Sequence, residues 1–345
     1  MPTLNADALR RAMNQTRAGR VTSATALIQK TLGQHGLNTQ SYTLDAPTLP
    51  PLQGFTHGPM TARQGRRATY QCTAGARDYI LHIPESAPNG ANGLVLMLHG
   101  CTQTPEDFAT GTQMERHANT NGLILVYPAQ SHGDNAQSCW NWFSGAHQRR
   151  DRGEPAILAG LAGEIATKHG VPDDKVFAAG LSAGAAMAII LGHTYPDVFA
   201  GVAAHSGLPY ARARGVAEAF AAMDGTLDST RSRADCHPTP TIVFHGTSDA
   251  TVKASNADRI IEDCFSAASG TQVQIVTDDE AGGRTYRQVT SLSHEGKPVA
   301  EQWTVQGLGH AWSGGNAHGS HTDARGPDAS AEMIRFFLSL STDEV

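Results

Sequence analysis

The stretch Val176-Phe177-Ala178-Ala179-Gly180-Leu181-Ser182-Ala183-Gly184 decides the fold. A short apolar run feeds a G-x-S-x-G pentapeptide, and the alanine-rich stretch Ala185 to Leu191 reads as helix behind it. Strand, tight turn and helix form the setting in which this pattern is a nucleophile elbow, with the serine hydroxyl exposed at the tip. Gly180 and Gly184 are needed because a side chain at either position would collide with a neighbouring strand or helix.

Working outward, Ala68 to Cys72 and Asp78 to Ile83 read as an antiparallel hairpin across Ala74-Gly75. Leu94 to Leu98 and Leu123 to Tyr127 are fully apolar runs of strand length, with a helix expected between them over Phe108 to Asn119. A helix over Glu154 to His169 leads into the elbow strand. Gly201 to His205, Thr241 to Phe244 and Glu301 to Val305 are later strands, and Asp328 to Leu340 is a closing amphipathic helix. Apolar strands separated by helices demand a mostly parallel central sheet with helices on both faces. With an edge hairpin before it and a serine elbow in its middle, this is the order of the α/β-hydrolase fold.

Residues 4 to 33 have helix-favouring composition and are locally basic, with Arg10, Arg11, Arg17, Arg20 and Lys30 against Asp7. Residues 39 to 65 carry Pro47, Pro50, Pro51 and Pro59 and read as a linker. The division expected is a helical N-terminal extension over 1–60 and a catalytic domain over 61–345.

A net charge of −6 over 345 residues offers no basic field for nucleic acid. No apolar run approaches the length of a membrane span, so no membrane partner is expected. The run Val21 to Gln29 is short, holds Thr22, Ser23 and Thr25, and ends at Lys30, which does not read as a signal peptide. The expectation is a cytoplasmic protein, with secretion as the alternative. The five cysteines, Cys72, Cys101, Cys139, Cys236 and Cys264, have no metal-knuckle or redox spacing. Most are expected free, and Cys101 with Cys139 is the first pairing to test, because both flank segments placed at the active-site face.

A serine hydroxyl needs a base to take its proton, and that base needs an orienting group. In this fold the partners follow in the order Ser, acid, His. The strand Thr241 to Phe244 runs into His245-Gly246-Thr247-Ser248-Asp249, which makes Asp249 the expected acid. Asp258 and Asp263, on the helix that follows, are expected to face solvent, and Asp224 precedes the strand. The base is expected at His310, in the loop Gly307-Leu308-Gly309-His310-Ala311-Trp312, with His318 and His321 as nearby competitors. The oxyanion of an acyl-transfer intermediate needs two N–H donors. Ala183, directly after the serine, is one, and Cys101, in the loop His99-Gly100-Cys101-Thr102, is the other. Trp140, Trp142 and Trp312 lie beside these loops and read either as core or as an apolar wall for the substrate. No metal and no cofactor is called for.

Several segments, in this order, resemble esterases of the polyhydroxybutyrate-depolymerase type. They are Leu98-His99-Gly100-Cys101, Cys139-Trp140-Asn141-Trp142-Phe143, Arg152-Gly153-Glu154-Pro155, the elbow, His245-Gly246 with Asp249, and Gly309-His310-Ala311-Trp312-Ser313-Gly314-Gly315. The resemblance covers about 66 to 341 and implies the triad Ser182, Asp249 and His310. It implies a serine esterase acting on small esters or on oligomeric or polymeric hydroxyalkanoates, with a polyester granule surface as a candidate partner. Acetyl xylan and feruloyl esterases are the alternative, and a non-catalytic binding protein on the same scaffold is a third reading. Neither a linker nor a polymer-binding domain is recognised after the catalytic segment, which favours soluble oligomers, amorphous granules or small esters. The oligomeric state is left open.

Overall fold

The computed structural model describes residues 65–85, 87, 91–226, 239–267 and 273–340. The expected extension and linker over 1–60 and the residue Cys236 lie outside the described residues. Ten strands form one sheet: β1 (Arg66–Cys72), β2 (Gly75–His82), β3 (Gly93–Leu98), β4 (Leu123–Pro128), β5 (Val176–Leu181), β6 (Gly201–His205), β7 (Thr241–Gly246), β8 (Val273–Ala281), β9 (Arg284–Leu292) and β10 (Pro298–Val305). Their order across the sheet is β1-β2-β4-β3-β5-β6-β7-β10-β9-β8. The six strands from β4 to β10 in that order run parallel. An antiparallel pair completes each side, β1 with β2 and β9 with β8.

Strands β3 to β7 are buried along their whole length. Successive side chains on a strand point to opposite faces, so such a strand needs a core on each side. Leu94, Leu96, Leu98, Ala178, Val202 and Val243 feed one core. Helices α3 (Gly153–Lys168), α4 (Ala183–Thr194), α5 (Val216–Met223) and α6 (Ser255–Ala267) contribute to it. Val95, Met97, Phe177, Ala179, Ile242 and Phe244 feed the other core, with α1 (Pro105–Thr112), α2 (Met114–Asn121) and α7 (Ala329–Leu338). This is the α/β-hydrolase fold.

Two details differ from the sequence reading. The helix expected over Phe108 to Asn119 is two helices, broken at Gln113, whose φ of 51° is left-handed. Asp263, expected in solvent, is buried, because α6 turns Ile260, Ile261 and Cys264 inward and carries Asp263 with them. It stands 3.5 Å from Arg212. Asp258 is exposed as expected.

Candidate active site

The C-terminal ends of β3, β5, β7 and β10 carry the expected residues: Cys101 after β3, Ser182 after β5, Asp249 after β7 and His310 after β10. The ends of parallel strands are where open α/β sheets gather ligands. Ser182 sits between β5 and α4 with φ 56° and ψ −116°, a strained backbone that persists only where its surroundings enforce it. The enforcement is visible at the two glycines. A Cβ on Gly184 would lie 2.0 Å from the Leu98 carbonyl oxygen, and one on Gly180 would lie 2.4 Å from the carbonyl carbon of Gly184. Helix and strand can approach this closely only without those side chains.

His310 donates from Nδ1 to Asp249 Oδ2 at 2.7 Å, which leaves its Nε2 for another partner. Asp249 Oδ1 accepts the backbone N–H groups of Thr251 and Val252, each at 2.9 Å. Burial alone would raise the Asp249 pKa. Hydrogen bonds from His245 and His310, the charge of His310 and the Val252 amide outweigh burial and hold it well below the usual carboxylate range. Among the described residues no hydrogen bond joins the Ser182 hydroxyl to His310. Catalytic contacts are commonly loose before substrate binds. His318 and His321 are both exposed, and the His321 ring stands edge-on to that of His310 at 6.5 Å.

The loop bearing Cys101 is held from several directions. Cys101 and Cys139 form a disulfide, the pairing expected first. Thr102 N–H donates to Gln137 O at 2.7 Å, and Gly100 N–H to Gln103 Oε1 at 2.8 Å. Gln103 and Asp107 in turn bind Ser320. Ala183 is the first residue of α4, where helix geometry leaves the N–H without an intrahelical acceptor.

The tryptophans are not an open wall. Trp140 and Trp312 are fully buried, with indole N–H groups bonded to His99 O at 3.0 Å and Ser330 Oγ at 3.1 Å, and Trp142 is also buried. Each indole N–H spent inside the core makes these two residues braces for the site loops. Of the two readings open for these residues, the structure takes the core.

Residues whose part the sequence reading did not assign stand behind these groups. Glu154, buried at the start of α3, accepts from Asn141 N and Asn141 Nδ2, each at 2.7 Å, and from Gln130 Nε2. Gln130 N–H donates to His99 Nε2, and Gln130 Nε2 also reaches Cys139 O. Glu154 therefore fixes the 139–143 segment, and through it the Cys101 loop. His245 Nε2 donates to Val252 O at 2.8 Å and lies 3.5 Å from Asp249 Oδ2, so a second imidazole backs the acid. The positions of Glu154 and His245 within quoted motifs were the only hint of such parts; neither motif says what these side chains do.

An elbow serine, an acid–histidine pair and a braced loop thus lie together at the C-terminal strand ends of an α/β-hydrolase fold. The chain belongs to the Esterase PHB depolymerase family, whose model matches residues 77–271. It is 34% identical over 241 residues to the poly(3-hydroxyalkanoate) depolymerase C of Paucimonas lemoignei, a match covering 66% of this chain and 57% of that protein. It is 28% identical over 291 residues to the poly(3-hydroxybutyrate) depolymerase of Ralstonia pickettii, covering 77% of this chain and 58% of that protein. The chain thus spans well under two thirds of the length of these relatives. Among solved structures, an acetyl xylan esterase from Aspergillus awamori superposes with a TM-score of 0.57 at 17% identity, over 76% of this chain and 94% of that one. That likeness concerns the fold.

Proposed function

We propose that the chain is a serine esterase that hydrolyses aliphatic hydroxyalkanoate esters through an acyl-enzyme. Ser182 is the nucleophile: its Oγ attacks the ester carbonyl carbon while Nε2 of His310 takes the hydroxyl proton. Asp249 holds the imidazole tautomer through the Nδ1 bond and stabilises the imidazolium that forms. The amides of Cys101 and Ala183 receive the oxyanion, and loss of one such donor costs roughly 10²–10³ in rate. His310 returns its proton to the leaving alkoxide. It then activates water, which splits the acyl-enzyme into free acid and Ser182.

The observation that carries this reading is the Asp249–His310 pair, formed at the same C-terminal strand ends as the strained Ser182 turn. The names of the two bacterial relatives support a hydroxyalkanoate as the acid part of the ester. The test uses p-nitrophenyl butyrate and a phosphonate label. Ser182→Ala is expected to lose on the order of 10⁵-fold or more in kcat, and the label is expected on Ser182 alone. Label elsewhere, or a lively alanine variant, defeats the mechanism. Release of 3-hydroxybutyrate from soluble oligomers, set against ferulate from methyl ferulate and acetate from acetylated xylan, decides between the polyester and carbohydrate ester substrates.

A further inference from the structure

One strand, β6, lies between the strand that delivers Ser182 and the strand that leads to Asp249. Its last residue is His205, level with Leu181 on one side and Phe244 on the other. The mechanism above gives it no part. Yet its carbonyl oxygen accepts the N–H of Ser182 at 2.9 Å, and its ring Nε2 accepts the N–H of Ser313 at 3.0 Å. Ser313 is three residues past His310 and closes a two-residue strand, Trp312–Ser313, that pairs with Thr322–Asp323. One residue therefore touches both the turn of the nucleophile and the loop of the base.

The state of the ring follows from these contacts. An Nε2 that receives an N–H carries its lone pair there, so the proton of the neutral ring is on Nδ1, 3.3 Å from Ser206 Oγ. The ring is fully buried and lies nearly flat between Phe244 (5.8 Å, 16°) and Trp312 (5.2 Å, 24°). Burial, with His245 and His310 acting in the same direction, lowers its pKa to about 3, so it remains a neutral acceptor. A hydrocarbon ring would fill such an apolar slot without the cost of burying two ring nitrogens. What the imidazole adds is the acceptor for Ser313, itself fully buried, whose N–H would otherwise be orphaned.

We propose that His205 is a positioning residue for the ester hydrolysis, a strut that sets the gap across which the Ser182 proton passes to His310. The inference rests on the reading of Ser182 and His310 as nucleophile and base. Asp249 fixes the rotation of the His310 ring but not the distance of its loop from β5. Bonds from Ser248 N to Leu308 O and from Trp312 Nε1 to Ser330 Oγ hold this segment to its other neighbours; His205 ties it to the strand beside the elbow, with its main chain anchored in the sheet and its side chain holding Ser313. Misplacement of a reacting group by about 1 Å can cost roughly 100-fold in rate.

The test compares three variants with the wild type on p-nitrophenyl butyrate, with kcat expressed per active site titrated by a fluorophosphonate. His205→Phe keeps the flat ring and the main-chain carbonyl but offers Ser313 nothing. His205→Gln can return an amide oxygen near the position of Nε2, whereas His205→Asn is polar and too short to reach. The Phe and Asn variants are expected to lose about 100-fold in kcat per titrated site with KM changed by less than about three-fold, and Gln to recover about ten-fold of that loss. The rate of phosphonylation should fall in step with kcat, because it crosses the same gap. If Phe does not fold, the Asn and Gln pair carries the comparison. Wild-type kcat per titrated site in the Phe or Asn variant overturns the strut, as does a loss that Gln leaves unrepaired. Ser182→Ala is run alongside. Wild-type turnover there sinks the nucleophile reading itself, whereas a dead Ser182→Ala beside a full-speed His205→Phe sinks the strut alone.

Discussion

Strands β3, β5, β6 and β7 expose no residue, whereas every residue of β8 from Val273 to Glu280 is exposed, with Val273, Ile275 and Val276 at 59%, 51% and 46%. The two regions belong to one sheet and are hydrogen-bonded by the same rules. The difference is what covers them. Helices close both faces of the middle strands, so each strand end is fixed by two cores and can hold a side chain to within a fraction of an ångström. The β8–β9 hairpin extends the sheet beyond that cover with both of its faces wet along β8. The proposed site falls where the backbone has least freedom, consistent with sites built on rigid elements being more precise than sites on loose ones. Substitutions should therefore divide sharply between the middle of the sheet and its edge.

After Ser182 itself, the sharpest expected effect is at Asp249. Replacement by Asn preserves shape and can keep contact with His310, but it removes the charge and favours the wrong imidazole tautomer. In a serine triad that change lowers kcat by about 10⁴. Steady-state kinetics of Asp249→Asn on p-nitrophenyl butyrate, with circular dichroism to confirm folding, checks it. A loss under ten-fold in a folded variant would mean that the buried acid is structural.

The middle of the sheet should also announce itself in its response to acid. His205 keeps a pKa near 3 when folded against a reference value of 6.5, chiefly through burial. The unfolded chain therefore takes up a proton below about pH 6.5 that the native state refuses until about pH 3. Stability from this group is intact above pH 6.5 and is lost as pH falls through that window, at about 1.4 kcal/mol per pH unit, or roughly 2 kcal/mol by pH 5. The His99 pKa is lowered in the same direction by its own burial. Asp249 does not oppose this, because a depressed carboxylate loses its contribution only below about pH 4. Urea unfolding at pH 7 and pH 5 should show the wild type losing more than His205→Phe does. Equal losses would mean that the ring is protonated, or solvated, in the native state.

The same contrast explains how much the sequence disclosed. Leu94 to Leu98 and Val176 to Ala179 announce themselves because a strand buried on both faces must be apolar at every position. The elbow is legible because its close approaches exclude every residue but glycine. The β8–β9 hairpin went unread, since Thr277-Asp278-Asp279-Glu280 beside Gly282-Gly283-Arg284 has the composition of a solvated loop. A strand wet on both faces leaves no periodic signal. The acid–histidine spacing was legible from strand ends, but the parts played by Glu154, His205 and His245 were not. Buried polar residues are chosen by partners distant in the chain, as Glu154 is by Gln130, and no local pattern records such a pairing. The three tryptophans show the converse limit, because an aromatic beside a catalytic loop has the same sequence signature whether it faces substrate or braces the loop from behind.

The smallest effect belongs to the edge. In β8, Ile275 pairs across to Thr290 of β9 and is half exposed. Replacing it with Thr keeps a β-branched side chain suited to a strand and takes almost no apolar area out of a core. Ile275→Thr should change unfolding free energy by less than about 0.5 kcal/mol, the range of surface substitutions away from special features. It should leave kcat/KM on p-nitrophenyl butyrate at the wild-type value, because β9 separates β8 from β10, the strand whose end leads to His310. The substitution also removes one apolar residue from an open sheet edge, a feature that templates association between chains. The recovery of soluble protein after heating should therefore rise or stay level. A fall in kcat/KM with folding intact would mean that the hairpin communicates with the His310 loop through β10. The separation between a rigid middle and a permissive edge would then be wrong at the boundary where it matters most.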